Sequence, residues 1–359
     1  MRKGYEAANR RTNRILFNQG KEDGSTRGQE AVWWTKDALS YASLFSRENP
    51  APSALDLFNP DNYKLFIEFI TLIRDCINDG EKVLIDFRNT NAIKACAVIV
   101  LYAYIDFLQR QTKDKTVIAI TTCGSARVNN WFKICGIWGI TGFQRVTADK
   151  LNSMEIVSAV AGKTKNNQES AEAREKIKNV LKYIKGTIYE GKISVSDGQK
   201  LYAALTESIS NVGLHAYSNE TQFSEFIADI GKRWWILAHK VEEQLYLMVY
   251  DMGEGIPVTL VKKDFFTLIA QIFNPKTDSD KIYAAVQYGE TRMNSQKHGK
   301  GLPDMKRYVV DNPEGQLHIF SGMGRYSYNA ANNAEEQFDL PYSIGGTLIQ
   351  WNVSLRGTE

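Results

Sequence analysis

Between Leu201 and Tyr217 the chain carries two stripes that belong on one helix. Leu201, Leu205, Ile209, Val212 and Ala216 recur at helical spacing and form an apolar line. Glu207, Asn211 and His215 stand at i, i+4 and i+8, a second line roughly 120° around the axis that rises about 6 Å per step. Such a helix packs its apolar line on a sheet and presents the other over a pocket. An exposed polar face fits the same spacing. Either way the second half is drawn toward a layered α/β arrangement.

The segments after Tyr217 supply the sheet. Apolar strands are expected near Trp234–His239 and Gln244–Tyr250, joined by residues 240–243, and again near Gln316–Ser321, Arg325–Tyr328 and Thr347–Val353. Directly after the second strand comes Asp251-Met-Gly253-Glu-Gly255-Ile256-Pro257. Helices near Phe265–Phe273 and Lys281–Tyr288 then lie in an otherwise polar insertion over 258–298. His298-Gly299-Lys300-Gly301-Leu302 opens a further helix with Met305, Tyr308 and Val309 on one side.

These segments carry chemistry. An asparagine amide oxygen at 211 is a hard donor suited to Mg²⁺. A glutamate one turn earlier, Glu207, can orient or deprotonate a water. A carboxylate at a strand end, Asp251, can accept a hydrogen bond from an amino group such as that of adenine, and Gly253 and Gly255 let the backbone approach a flat base. Gly299 and Gly301 before a helix expose N–H groups to phosphate, helped by the helix dipole and by Lys297 and Lys300. The turn Gly345-Gly346-Thr347 offers a hydroxyl that can share a water or hydrogen bond with Asp251. Each motif alone also fits a plain turn or a flexible basic loop. In this order they describe one site for ATP and Mg²⁺.

The first half alternates elements as well. Tyr63–Ile77 reads as a helix ended by Asn78-Asp-Gly80, followed by a strand at 82–87, a helix at 92–109, a strand at 116–122 and a helix at 125–136. Buried strands separated by helices imply crossover connections. A length of 359 residues exceeds what one core usually holds, about 250–300. The expected division is a lead-in over 1–60 with a short helix around Trp33–Phe45, an α/β domain over 61–150, a helical connector over 151–196, and an α/β nucleotide-binding domain over 197–359.

Hydrophobic residues make up 43% and charged residues 24%, which are ordinary values for a globular chain. A net charge of +3 does not indicate nucleic acid, although Arg2, Lys3, Arg10, Arg11 and Arg14 form a basic run. No run of about 18 apolar residues is present, and the start has no apolar signal core, so no membrane association is expected. Four cysteines without metal-type spacing read as packed, reduced thiols of a cytoplasmic protein, and four scattered histidines do not suggest zinc.

The order of motifs over 197–355 resembles the GHKL ATPase superfamily, which includes histidine kinases, anti-sigma-factor serine kinases and type II topoisomerases. Asn211 followed by His215-Ala216-Tyr217 is most similar to the serine-kinase branch. The resemblance implies a Bergerat-type α/β sandwich. In it Glu207 is the general base, Asn211 the Mg²⁺ ligand and Asp251 the adenine-reading carboxylate. His215, Gly253, Gly255, Ile256, Gly299, Lys300, Gly301, Leu302 and Thr347 line the nucleotide. No histidine lies in residues 170–196, unlike the phosphoacceptor helix of sensor kinases. Residues 61–148 resemble a STAS domain, the fold of anti-sigma-factor antagonists, with Val83–Thr90 as central strand. Where those antagonists carry a phosphorylatable serine, this chain reads Ile93-Lys94-Ala95-Cys96-Ala97.

The expected function is an ATP-binding, ATP-hydrolysing regulator with a lid over 258–298, working through a dimer or a partner protein. The alternative is a protein serine/threonine kinase acting on a separate chain, and a third reading is a scaffold with a degenerate pocket. After incubation with ATP, mass spectrometry is expected to find no phosphate within residues 90–98. A phosphopeptide from that stretch would overturn the reading.

Overall fold

The computed structural model describes residues 47–142, 154–161, 168–217, 231–291 and 301–355. The helix expected around Trp33–Phe45 lies outside them. The chain is mixed α/β and divides into two compact units, 1–149 and 150–359.

In the first unit β1 (Arg47–Pro50), β3 (Val83–Asp86) and β5 (Ile118–Ile120) form a parallel sheet in the order β1-β3-β5. A short parallel pair joins β2 (Ala54–Leu55) to β4 (Ala92–Ile93). Parallel neighbours need crossovers, and α1 (Pro60–Asn78) and α2 (Ala95–Gln111) supply them. The side chain of Asn59 caps α1 by accepting from the N–H groups of Asp61 and Asn62, and Pro60 has no N–H to satisfy. Helix α2 begins later than its apolar run suggests, because Ala92 and Ile93 pair with β2 and the Lys94 N–H donates to Leu55. Residues 47–55, expected in the lead-in, therefore supply strands. Cys96 is buried in the first turn of α2, and all four cysteines are buried and form no disulfide. Helices α3 (Ala126–Ile134) and α4 (Ile137–Ile140) follow β5.

The second unit is built on a large antiparallel sheet of seven strands, ordered β11-β10-β9-β12-β8-β7-β6. Its strands are β6 (Val157–Val160), β7 (Arg233–Val241), β8 (Gln244–Asp251), β9 (Gln316–Ser321), β10 (Gly324–Asn329), β11 (Ala334–Asp339) and β12 (Thr347–Ser354). The sequence did not suggest β6 or β11. Strand β11 reads Ala-Glu-Glu-Gln-Phe-Asp and lies at the sheet edge, where charge discourages further pairing and hides the apolar alternation. Strand β6 falls in the segment expected to be a connector. Helix α5 (Gln168–Tyr183) and the π-helical turn Ile184–Ile188 follow it, and Val180, Ile184 and Ile188 are fully buried in the core of this unit. Residues 154–161 and 168–188 therefore form part of the second unit's body.

Helix α6 (Val195–Asn211) starts at Ser194, whose hydroxyl accepts from the Asp197 N–H. Its apolar line, Leu201, Leu205 and Ile209, packs in one core with Trp234 and Ile236 of β7, Leu247 and Val249 of β8, and Ile349 and Trp351 of β12. Residues on the other parity, such as Trp235, Leu237, Met248 and Tyr250, are buried too, which is why these strands read as continuous apolar runs.

The insertion after β8 holds α7 (Ile256–Val261), α8 (Phe266–Phe273) and α9 (Asp278–Thr291), and α10 (Gly301–Val310) precedes β9. Two contacts fix α10. The Trp351 indole N–H donates to the Met305 carbonyl at 2.8 Å. The Lys306 ammonium, mostly buried, pairs with Glu335 of β11 at 2.6 Å. Glu335 also accepts from Gln287 of α9 at 2.6 Å and from the Tyr326 hydroxyl at 3.0 Å, so one carboxylate ties two helices to the sheet edge. No helix among the described residues is long and apolar enough to cross a membrane. Glu335→Ala would remove the carboxylate that pairs with the buried Lys306 ammonium and is expected to lower stability by on the order of 3 kcal/mol. Urea unfolding measures this, and an unchanged midpoint would show that the network contributes nothing.

Candidate functional site

Strand β8 carries Leu245, Leu247, Val249 and Asp251 on one face, since side chains alternate along a strand. Three positions are core and the fourth is a carboxylate. Asp251 pairs in register with Thr347 of β12, and Thr347 with Ser321 of β9. A row of three polar side chains thus closes one end of an apolar sheet face. Ser321 is the member the sequence did not reveal, because only strand pairing brings it beside the others. Its hydroxyl lies 2.9 Å from that of Thr347 and accepts from the Ile256 N–H at 2.8 Å.

The Thr347 hydroxyl bonds that of Ser321, and the Thr347 main-chain N–H reaches the Asp251 carboxylate. The Gly253 N–H donates to the same carboxylate at 2.8 Å.

Helix α6 does not stop at Asn211. It widens into a π-helical turn, Val212–Ala216, of the kind often found at functional sites. Three contacts lock this turn to the β8 end. The Glu254 N–H donates to the Ala216 carbonyl at 2.7 Å. The Met252 N–H donates to the Tyr217 hydroxyl at 3.1 Å, which in turn donates to the Arg233 carbonyl at 3.0 Å. The third is a close approach: a Cβ on Gly253 would lie 2.1 Å from the Ala216 carbonyl oxygen, so no side chain fits there. Gly346 is similarly constrained, with a Cβ falling 1.9 Å from the Asp251 carbonyl oxygen.

These elements enclose a cavity of about 940 Å³. Glu207, Asn211, His215, Asp251, Gly255 and Ile256 line it, as do Leu302 and Thr347. Gly253 supports the wall without lining it, and Gly301 is the first residue of α10. Gly299 and Lys300 lie outside the described residues. The insertion, expected as a lid, contributes wall residues that the sequence did not single out, including Leu260, Lys263, Phe265, Ile269 and Tyr288. Phe265 stacks on Tyr288 at 5.3 Å.

The electrostatics follow from burial. Asp251 is 6% exposed, and among the described residues no cationic side chain pairs with it. Desolvation pushes its pKa up to about 7, against the two main-chain hydrogen bonds. Glu207 is also raised, by desolvation and then by the charge of Asp304. His215 is lowered, first by desolvation and then by the ammonium of Lys263, whose Nζ lies 2.9 Å from His215 Nδ1. Among the described residues the side chains of Glu207 and Asn211 make no hydrogen bond. No group of three or more His, Cys, Asp or Glu side chains is placed to hold a metal among the described residues.

The chain matches no protein-family model, no curated protein and no solved structure.

The raised pKa of Asp251 makes a pH prediction. The folded state holds this proton more tightly than the unfolded chain, so the group's contribution to stability is full below about pH 4 and is lost as pH rises toward about 7. The stability difference between the parent and Asp251→Asn should therefore shift against the parent by about 1.4 kcal/mol per pH unit across that window. Chemical denaturation at a series of pH values measures it, and a flat difference would show the carboxyl to be unperturbed.

Proposed function

We propose that the second unit binds ATP with Mg²⁺ in this cavity, in the manner of the GHKL ATPases, and hydrolyses it to drive a regulatory switch. The observation that carries the reading is Asp251: a buried carboxylate, aimed into a cavity, with main-chain donors and, among the described residues, no cation. A protein rarely keeps such a group for stability, since burial of an unpaired charge is costly. An exocyclic amino group would give it the donor it lacks. The cavity volume suits a ligand of nucleotide size, and Ile256, Met305 and Ile349 offer apolar surface to a flat base.

The residues present fit the metal as well. Mg²⁺ is usually held by one or two protein oxygens, with substrate phosphates and waters completing its octahedron. The Asn211 amide oxygen is free to serve, one helical turn from Glu207. Bound Mg²⁺ would neutralise charge on the phosphates. Glu207, half-desolvated and raised in pKa, suits a general base. It would take the proton of a water that attacks the γ-phosphorus while the bond to the bridging oxygen breaks, releasing ADP and phosphate. The insertion 256–291 supports a lid role, because α7, α8 and α9 form one wall of the cavity.

The first unit is proposed as a STAS-like docking module. Its parallel sheet with crossover helices supports this reading, and residues 93–97 offer no hydroxyl at the start of α2. The regulatory output would pass through a second copy or a partner protein.

Calorimetry with Mg²⁺ and ATP tests the binding. Asp251→Asn is expected to weaken ATP by about tenfold or more, through loss of a charge-assisted hydrogen bond. Glu207→Ala should bind ATP like the parent and lose turnover. Parent-like turnover in Glu207→Ala would remove the base assignment. With labelled γ-phosphate, free phosphate supports hydrolysis, whereas label transferred to another protein would replace it with a kinase reaction.

A further inference from the structure

Of the described residues lining the cavity, Lys263 is the only lysine or arginine. It belongs to the insertion, just after α7, where no local motif marks it out. It makes no ion pair among the described residues. Its neighbour Lys262 is the one that pairs with a carboxylate, that of Glu254, at 3.0 Å. The Lys263 ammonium instead donates to His215 Nδ1 at 2.9 Å, which links the insertion to the π-helical turn. A histidine can accept there only when that nitrogen is unprotonated. Lys232 stands near the same turn and donates to the Gly213 carbonyl at 3.1 Å, so its charge adds to the positive side. Asp264 is the acid whose charge acts on Lys263.

A cation held against a neutral imidazole inside a cavity, with no ion pair among the described residues, is an incomplete pair. Of the acids that line the cavity, Glu207 and Asp251 oppose an anion weakly, because burial disfavours their charged forms, and Asp264 is exposed beside Lys263. We infer that Lys263 contacts an anionic group of the ligand, and that His215 is its positioning residue. Resting on the nucleotide reading above, this assigns Lys263 to the phosphoryl oxygens. It also gives the insertion a direct ligand contact, so that bound phosphate would hold the α7 end of the insertion against α6.

The experiment titrates ATP and adenosine separately, by calorimetry with Mg²⁺, into the parent, Lys263→Gln and Lys263→Arg. Lys263→Gln should weaken ATP about 10- to 100-fold and leave adenosine unchanged. Lys263→Arg should keep most of the ATP affinity. Thermal melting of the three proteins should coincide, since Lys263 lies at the surface of the cavity. Parent-like ATP affinity in Lys263→Gln overturns the inference, as does an equal loss for adenosine, and both leave the nucleotide reading standing. If the parent binds neither ligand, the nucleotide reading falls and this inference with it.

Discussion

The second unit is organised around a carboxylate that has been taken out of water. Asp251 ends a strand face whose other members are core, and its only partners among the described residues are two main-chain N–H groups. Supplying those donors dictates much of the local architecture. The Gly253 N–H must turn back toward the carboxylate, and β12 must run in register beside β8 to bring the Thr347 N–H within reach. Ser321 then occupies the Thr347 hydroxyl and the start of α7 together. Each of these choices leaves the face of Asp251 that points into the cavity without a donor of its own.

The helix on the opposite wall answers the same constraint. A regular α-helix through residue 217 would keep Glu207, Asn211 and His215 in strict line, but the π-helical turn at Val212–Ala216 alters the path before the last of them. That turn puts the Ala216 carbonyl against Gly253 and the Tyr217 hydroxyl between β7 and β8. The polar stripe and the strand end thereby face one space as a pair.

How much of this was legible depends on range. The stripe on α6 and the strands β7, β8, β9 and β12 are visible because period and burial coincide within one element. Asp251, Gly253 and Gly255 stood out because strand ends and glycine turns have local signatures. Strand β11 was hidden by its edge position, and β6 by four residues of weak pattern in a segment that reads as polar. Ser321 and Lys263 look like ordinary residues in the chain; strand register and a fold of the insertion, neither encoded within a few residues, bring them to the cavity. Thr347 stands between Asp251 and Ser321 in the row, and the sequence suggested only the first of these neighbours.

The strand order has a consequence for how the site comes into being. Strand β12 is last in the chain among the described strands, yet it lies in the middle of the sheet, between β8 and β9. During synthesis, β7 and β8 emerge as one hairpin and β9, β10 and β11 as a separate meander, and no strand pairing joins the two until residues 347–354 have left the ribosome. Until then both blocks expose a bare strand edge, the kind of surface that recruits wrong partners. The seam that completes the sheet also delivers the second N–H to Asp251, so the cavity is incomplete until β12 joins the sheet.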